Sequence, residues 1–289
     1  MMVATSLLPD VLNFGSDLHL RYQWFLPESM GHPAKLHLGL LSWIVDWYTR
    51  PGQTILDPMA GIGSVLYAAT LQRNVIAKEI EPRWLEVLHK NAAHILEQSG
   101  LFAGQITVGQ ADACEAWGVQ ADCIITSPPY GCSASTSANA RKMLPYRQSK
   151  STIQLDERWH RLHAHPSAGA MGALSFHYGN HPAQIGHFRG NRYWQAMERM
   201  YTQAHTSLRP SGFLILILKD HIFQGKRVRT AEKTIALCES IGFTLYARHQ
   251  RHVYPLSLWQ RRRKERGEPV VEEEDVLVFC HKQESEVSA

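Results

Sequence analysis

Thr126-Ser127-Pro128-Pro129-Tyr130 closes the apolar run Asp122-Cys123-Ile124-Ile125 and brings a hydroxyl, a carbonyl and an aromatic ring to one strand end. Two consecutive prolines fix the backbone and remove two N–H donors, which leaves the Pro128 carbonyl without a ladder role. Ser127 adds an acceptor, and Tyr130 adds a flat face on which a base stacks. A planar exocyclic amine can donate one hydrogen to Ser127 and the other to the Pro128 carbonyl. That arrangement points its nitrogen lone pair toward an electrophile. An isolated Pro-Pro is more often a plain strand-end turn, but the residues upstream reverse those odds.

Upstream lies Thr54-Ile55-Leu56-Asp57-Pro58-Met59-Ala60-Gly61-Ile62-Gly63-Ser64, followed by the helix-compatible Val65-Leu66-Tyr67-Ala68-Ala69. A short apolar strand ends in Asp57, and Gly61 and Gly63 let the backbone pass close to a ligand before a helix begins. The loop has neither the Lys-Ser/Thr of a phosphate cradle nor the full Gly-x-Gly-x-x-Gly of a dinucleotide site.

Together, DPMAGIGS and TSPPY resemble the S-adenosylmethionine-dependent amino-methyltransferases of nucleic acids. In that family an Asp-Pro-x-x-Gly-x-Gly motif holds the cofactor and a (Ser/Asn/Asp)-Pro-Pro-(Tyr/Phe) motif presents the amine. His32-Pro33-Ala34-Lys35, upstream of Arg50-Pro51-Gly52, is similar to the segment that touches the methionine end of the cofactor. The resemblance runs from about His32 to His281. It implies S-adenosyl-L-methionine as cofactor, held by Asp57, Pro58, Met59, Ala60, Gly61, Gly63, His32 and Lys35, with Ser127, Pro128, Pro129 and Tyr130 as the catalytic turn. It ties Ser at the first position of that turn mainly to cytosine N4, and Asn or Asp mainly to adenine N6. The implied activity is therefore DNA methylation of the restriction–modification kind, on cytosine N4 foremost and adenine N6 next. An RNA methyltransferase of the tRNA guanine-N2 type ranks below these, because the RNA branch usually carries Asp before Pro-Pro and an added domain. A catalytically silent nucleic-acid-binding subunit ranks last.

The bulk properties fit that frame. A chain of 289 residues, 44% apolar and 19% charged, suffices for one α/β domain with an insertion. No apolar run reaches membrane-spanning length, and the start lacks a signal-peptide pattern, so a cytoplasmic protein without a membrane partner is expected. Cys114, Cys123, Cys132, Cys238 and Cys280 form no close pair, which speaks for reduced thiols and against structural zinc. The net charge of +4 is unevenly spread: residues 131–190 hold seven cations (Arg141, Lys142, Arg147, Lys150, Arg158, Arg161, Arg189) against Asp156 and Glu157. A basic surface beside the reaction centre suits a polyanion, DNA first and RNA as the alternative.

Periodicity supplies the elements that position these residues. Residues 1–31 read as an irregular lead-in. The methyltransferase domain is expected over 32–282, with an inserted recognition segment at 131–191 and a tail at 283–289. Helices are expected over 36–48, 82–98, 193–208 and 230–241, and strands over 54–57, 74–80, 105–109, 122–126, 213–218, 243–252 and 275–281. The end of the second of these strands carries Glu79 and Glu81. An acid there accepts from ribose hydroxyls, and the resemblance favours Glu79. Glu81, beside Pro82, reads equally as a helix-start acid. Asp112 resembles the family's acceptor for the adenine amine, or else is a loop Asp capping the next turn.

From Gly131 to about Asn191 periodicity vanishes. His160, His163, His165, His177, His181 and His187 crowd there without the Cys or carboxylate that would complete a metal site, so no metal is expected. Arg141, Lys142, Arg147 and Lys150 are the candidate phosphate contacts, with Arg158, Arg161, Gln184 and Arg189 available for base edges. A second basic cluster, Arg261-Arg262-Arg263-Lys264-Glu265-Arg266, adds Arg261, Arg262 and Arg263 as candidate nucleic-acid contacts. The expected fold is α/β: a doubly wound, mostly parallel Rossmann-like methyltransferase sheet with a terminal antiparallel strand pair and a long inserted loop segment.

Overall fold

The computed structural model describes residues 9–281 except 33, 130–177, 224 and 254–257. Eight strands form one sheet. In chain order they are β1 (Val11–Leu12), β2 (Thr54–Asp57), β3 (Asn74–Glu79), β4 (Ile106–Gln110), β5 (Ala121–Thr126), β6 (Leu208–Leu218), β9 (Phe243–His252) and β10 (Glu273–His281). A separate antiparallel hairpin, β7 (His221–Phe223) and β8 (Lys226–Val228), leaves the end of β6. The sheet order is β1-β9-β10-β6-β5-β2-β3-β4, and β10 alone runs against its neighbours. This is the expected doubly wound, mostly parallel sheet with an antiparallel pair at the chain's end.

Strand alternation decides which helices cover which face. Ile55, Cys123, Ile125, Ile215, Ile217, Val276 and Val278 pack with α2 (Leu38–Tyr48) and α3 (Pro82–Ser99) on one side. Their neighbours Leu56, Ile124, Leu214, Leu216, Leu277 and Phe279 pack with α4 (Gly190–Ser207) and α5 (Thr230–Ile241) on the other. Both faces are dry, which explains the near-continuous apolar runs of the central strands.

Local chemistry fixes the helix ends. The His37 side chain accepts from the Leu40 amide and starts α2. Pro82 occupies the first turn of α3, where a missing N–H costs nothing, and Gly100 at φ 63 ends it. Asp220 Oδ1 accepts from the Thr230 amide at 2.8 Å, so α5 is started by a residue ten positions upstream.

Several expectations needed correction. The lead-in is not irregular: residues 9–31 contain β1, which pairs in parallel with β9, the helix α1 (Leu18–Trp24) and a 3-10 turn. It is held by Asn91 of α3, which binds the Leu26 amide, the Ser29 hydroxyl and the Ile62 carbonyl. The helix after Gly63 is a 3-10 helix, Ser64–Leu71. Left-handed Gly63 offers no side-chain cap, and its carbonyl takes the Leu66 amide in the tighter i to i+3 pattern. The stretch between the expected helix over 193–208 and strand over 213–218 belongs to β6, with an irregularity where Ala121 pairs with Leu208 but Cys123 pairs with Phe213. The second basic cluster, for which no element was expected, lies largely on the helix α6 (Leu258–Glu265).

Candidate active site

Strand order reverses between β2 and β5: β2 continues to β3 on one side, while β5 leads to β6 on the other. At such a switch point the crossing connections diverge and leave a crevice beyond the carboxyl strand ends. Ile55 pairs with Cys123 and Leu56 with Ile124, so Asp57 and Ser127 emerge side by side at that crevice. A cavity of about 330 Å³ opens there, within the usual range for small-ligand sites. Asp57, Pro58, Met59, Ala60, Gly61, Glu79, Asp112, Ser127, Pro129, His32 and Lys35 all line it.

The loop after β2 is held as a unit with β3. The Ala60 amide donates to the Lys78 carbonyl at 2.8 Å, and the Gly61 amide donates to Glu79 Oε2 at 2.7 Å. Glu79 Oε1 accepts the Ile80 and Glu81 amides, both at 2.9 Å. Three N–H bonds leave one of the carboxylate's roughly four lone-pair positions for a ligand hydroxyl. Burial raises the Glu79 pKa despite these bonds.

The reasons for the two glycines differ from the expected ligand contact. Gly61 lines the cavity at φ 56, but its amide is already engaged by Glu79, and a Cβ would stand 2.9 Å from the His32 ring. Gly63, at φ 84, does not line the cavity. A Cβ there would stand 2.3 Å from Leu88 Cδ1, so this glycine serves the packing of the loop on α3.

Asp57 accepts the Met59 amide at 3.0 Å and lies 7% exposed. Burial pushes its pKa up to about 7, and the Glu79 charge adds to the effect. The Thr126 hydroxyl beside it pulls the other way but falls short of a formed hydrogen bond. Asp112 lines the cavity, and its Oδ1 accepts the Cys114 amide at 2.8 Å, capping the next turn.

His32 is buried edge-on to Trp84 (centroids 4.6 Å apart) and Tyr178 (5.8 Å), and its Nδ1 faces the Ala34 carbonyl. Burial brings its pKa down to about 4, so the ring is neutral near pH 7. Lys35 donates to the His32 carbonyl at 2.7 Å and the Met30 carbonyl at 3.3 Å. Burial, aided by Arg21, brings its pKa down to about 8.

Pro128 is buried and is not among the lining residues. Tyr130, Arg141, Lys142, Arg147, Lys150, Arg158 and Arg161 lie outside the described residues, as do His160, His163, His165 and His177. The described end of the insertion supplies lining residues that sequence reasoning missed: Tyr178, Ala183 and Ile185. Trp84 of α3 also lines the cavity and donates its indole N–H to the Tyr178 carbonyl. Gln184 is corrected from a free base reader to a buried residue, whose amide donates to Glu81 and accepts from Gly186. Glu81 stands at the N-cap position of α3, as a helix-start acid does, but makes no side-chain capping bond; its carboxylate accepts from residues 180–184 instead.

The second basic cluster is largely neutralised by its own neighbours. Arg263 and Arg266 bind Glu268 at 3.1 and 2.9 Å, and Lys264 binds Glu272 at 2.7 Å. Arg263 is thereby removed as a free phosphate contact, whereas Arg261 and Arg262 stay exposed without an anionic partner among the described residues. Their helix joins the end of β9 to the start of β10, at the carboxyl edge that holds the cavity. Among the described residues no cluster of metal-ligating side chains occurs, and no helix is long and apolar enough to cross a membrane.

Fold and site together define an α/β domain with an acid-lined cavity at its switch point. No protein-family model matches the chain, and no curated protein matches it by sequence. Solved structures similar to it include TrmN from Thermus thermophilus, at a TM-score of 0.44 and 17% identity over 85% of this chain and 49% of that one. The chain thus spans about half the length of TrmN. A methyltransferase from Pyrococcus furiosus aligns at a TM-score of 0.48 and 11% identity, over 93% and 95% of the two chains. Magnesium protoporphyrin IX methyltransferase from Synechocystis PCC 6803, solved with bound SAH, aligns at 0.46 and 12%, over 85% and 81%. At such identities the chemistry has to be read from this chain's own residues.

Proposed function

We propose that the chain is an S-adenosylmethionine-dependent methyltransferase acting on an exocyclic amine of a nucleic-acid base, cytosine N4 of DNA foremost. The observation that carries the reading is that one cavity is lined at once by Asp57, Glu79, Asp112 and Ser127. The donor set suits the cofactor. Glu79 retains acceptor capacity for a ribose hydroxyl, Asp112 lies one turn beyond β4 for an adenine amine, and buried Asp57 gains most from a nearby cation. Bound there, S-adenosylmethionine supplies an electrophilic methyl group on a sulfonium.

The chain's own task is alignment. Ser127, which lines the cavity, accepts one hydrogen of the target amine and so turns the lone pair toward the methyl group. Tyr130 stacks on a base that has left its helix. No enzyme nucleophile is required. Adenine N6 is the next substrate, then an RNA amine. The insertion cations and the exposed Arg261 and Arg262 supply the phosphate contacts.

Incubation with methyl-labelled S-adenosylmethionine and equal amounts of DNA and RNA tests the reading. Label is expected in DNA, as N4-methylcytosine after digestion. Label in RNA alone would move the substrate, and label in neither would reject the activity.

A further inference from the structure

Glu81 and Glu79 alternate along one stretch of backbone and serve two different partners. Glu79 binds the glycine loop, whereas Glu81 accepts from the limb that returns the chain to α4. Its donors are the Asn180 amide at 3.1 Å, the His181 amide at 2.9 Å and the Gln184 side chain at 3.3 Å. The carboxylate is buried, and Gly179 lies directly over it at φ 147. A Cβ on that glycine would stand 1.9 Å from the carboxyl carbon. His187 closes the limb on itself through the Gly179 carbonyl at 3.0 Å. Glu81 does not line the cavity, but Tyr178, Gln184 and Ile185 of the limb do.

The limb is therefore a wall of the cavity that the sheet does not supply. Trp84 holds its first residue through the Tyr178 carbonyl, and one buried carboxylate holds the residues that follow by charge-assisted bonds. Such bonds are strong and geometrically demanding, and removing the acceptor leaves two part-buried amides and the buried Gln184 side chain without this partner. Taking the cavity as the S-adenosylmethionine site, on which this inference rests, we propose that Glu81 is a positioning residue that docks residues 178–187 as the cavity's detachable wall. It thereby sets how fast S-adenosylhomocysteine leaves. Product release limits turnover in many enzymes, so this attachment bears on kcat as well as on affinity.

The test measures association and dissociation of S-adenosylhomocysteine separately, by stopped-flow mixing and by chase, in the full chain. Glu81→Ala and Gly179→Ala break the same contact from opposite sides, and neither residue lines the cavity. Each is expected to speed dissociation by about tenfold or more with a much smaller change in association. Glu81→Gln, which keeps one acceptor oxygen, should fall between them and the unmodified chain. The double variant should release ligand no faster than the worse single one, because the shared contact is lost once. If Glu81→Ala does not fold, Gly179→Ala decides alone. Unchanged dissociation in a folded variant, or additive effects in the double one, would overturn the docking role. Failure of the unmodified chain to bind S-adenosylhomocysteine would instead reject the cofactor reading.

Discussion

The Gly61 amide donates to Glu79 Oε2 at 2.7 Å, so the loop after β2 and the acid at the end of β3 form one rigid body. Ligand recognition at either end of the cavity then depends on both strands being in register.

Cofactor binding should fail when this body is broken. Gly61→Val forces a side chain into the His32 ring from a left-handed backbone. Asp57→Ala removes the carboxylate facing the cavity. Both variants are expected to fold and to lose S-adenosylmethionine binding in calorimetry. Undiminished affinity in the two would remove the cofactor assignment.

Gly63→Ala should behave differently from Gly61→Val, because its Cβ meets Leu88 in the core and not the cavity. Overpacking of this kind costs about 1–3 kcal/mol. Thermal unfolding should show a clear loss of stability. A binding defect at unchanged stability would contradict the packing explanation.

Asp57 should impose a pH dependence of known sign. Its pKa is about 7 in the folded chain against 3.8 ordinarily, so between those values the native state holds a proton that the unfolded chain has lost. Its contribution to stability therefore falls as pH rises through that window, and the whole penalty is present above pH 7. Glu79, also raised, acts in the same direction. Denaturant titrations at pH 5 and pH 8 should show Asp57→Asn gaining on the unmodified chain at the higher pH, by up to about 2.5 kcal/mol. Equal differences at both pH values would mean that Asp57 is already ionised. A cationic ligand should reverse the penalty, so S-adenosylmethionine affinity should rise from pH 5 to pH 8.

Ser127 and Tyr130 should matter for transfer more than for cofactor affinity. Ser127→Ala loses an acceptor for the amine. Tyr130→Ala loses a stacking face worth roughly 1–3 kcal/mol, or about one to two orders of magnitude in rate. Single-turnover methylation with cofactor saturating should reveal the loss. A wild-type rate in Tyr130→Ala would exclude an extruded base.

Neutralising Arg141, Lys142, Arg147 and Lys150 together should weaken nucleic-acid binding and flatten its salt dependence, with cofactor affinity unchanged. An unaltered slope would shift the phosphate contacts to Arg261 and Arg262. Arg263 should matter little in either case, since Glu268 already holds it.

Local chemistry was legible in the chain alone wherever it repeats with a period or breaks it. The apolar strand ending in Asp57, the strand ending in Ser127, the α5 helix over Thr230–Ile241 and the β9 strand over Phe243–His252 all follow from side-chain spacing and from Pro and Gly as punctuation. The union of Asp57, Glu79, Asp112 and Ser127 at one edge was also legible, because parallel strands present all their carboxyl ends together. Only the tertiary structure decided the contacts between residues far apart in sequence. Glu81 reads as a helix-start acid and does stand at the N-cap of α3, but its carboxylate takes its partners from residues 180–184, about a hundred positions later. Gly63 reads as a ligand-facing glycine until Leu88 occupies the space beside it. In each case the deciding partner comes from another turn of the chain, and no periodicity encodes a contact of that kind.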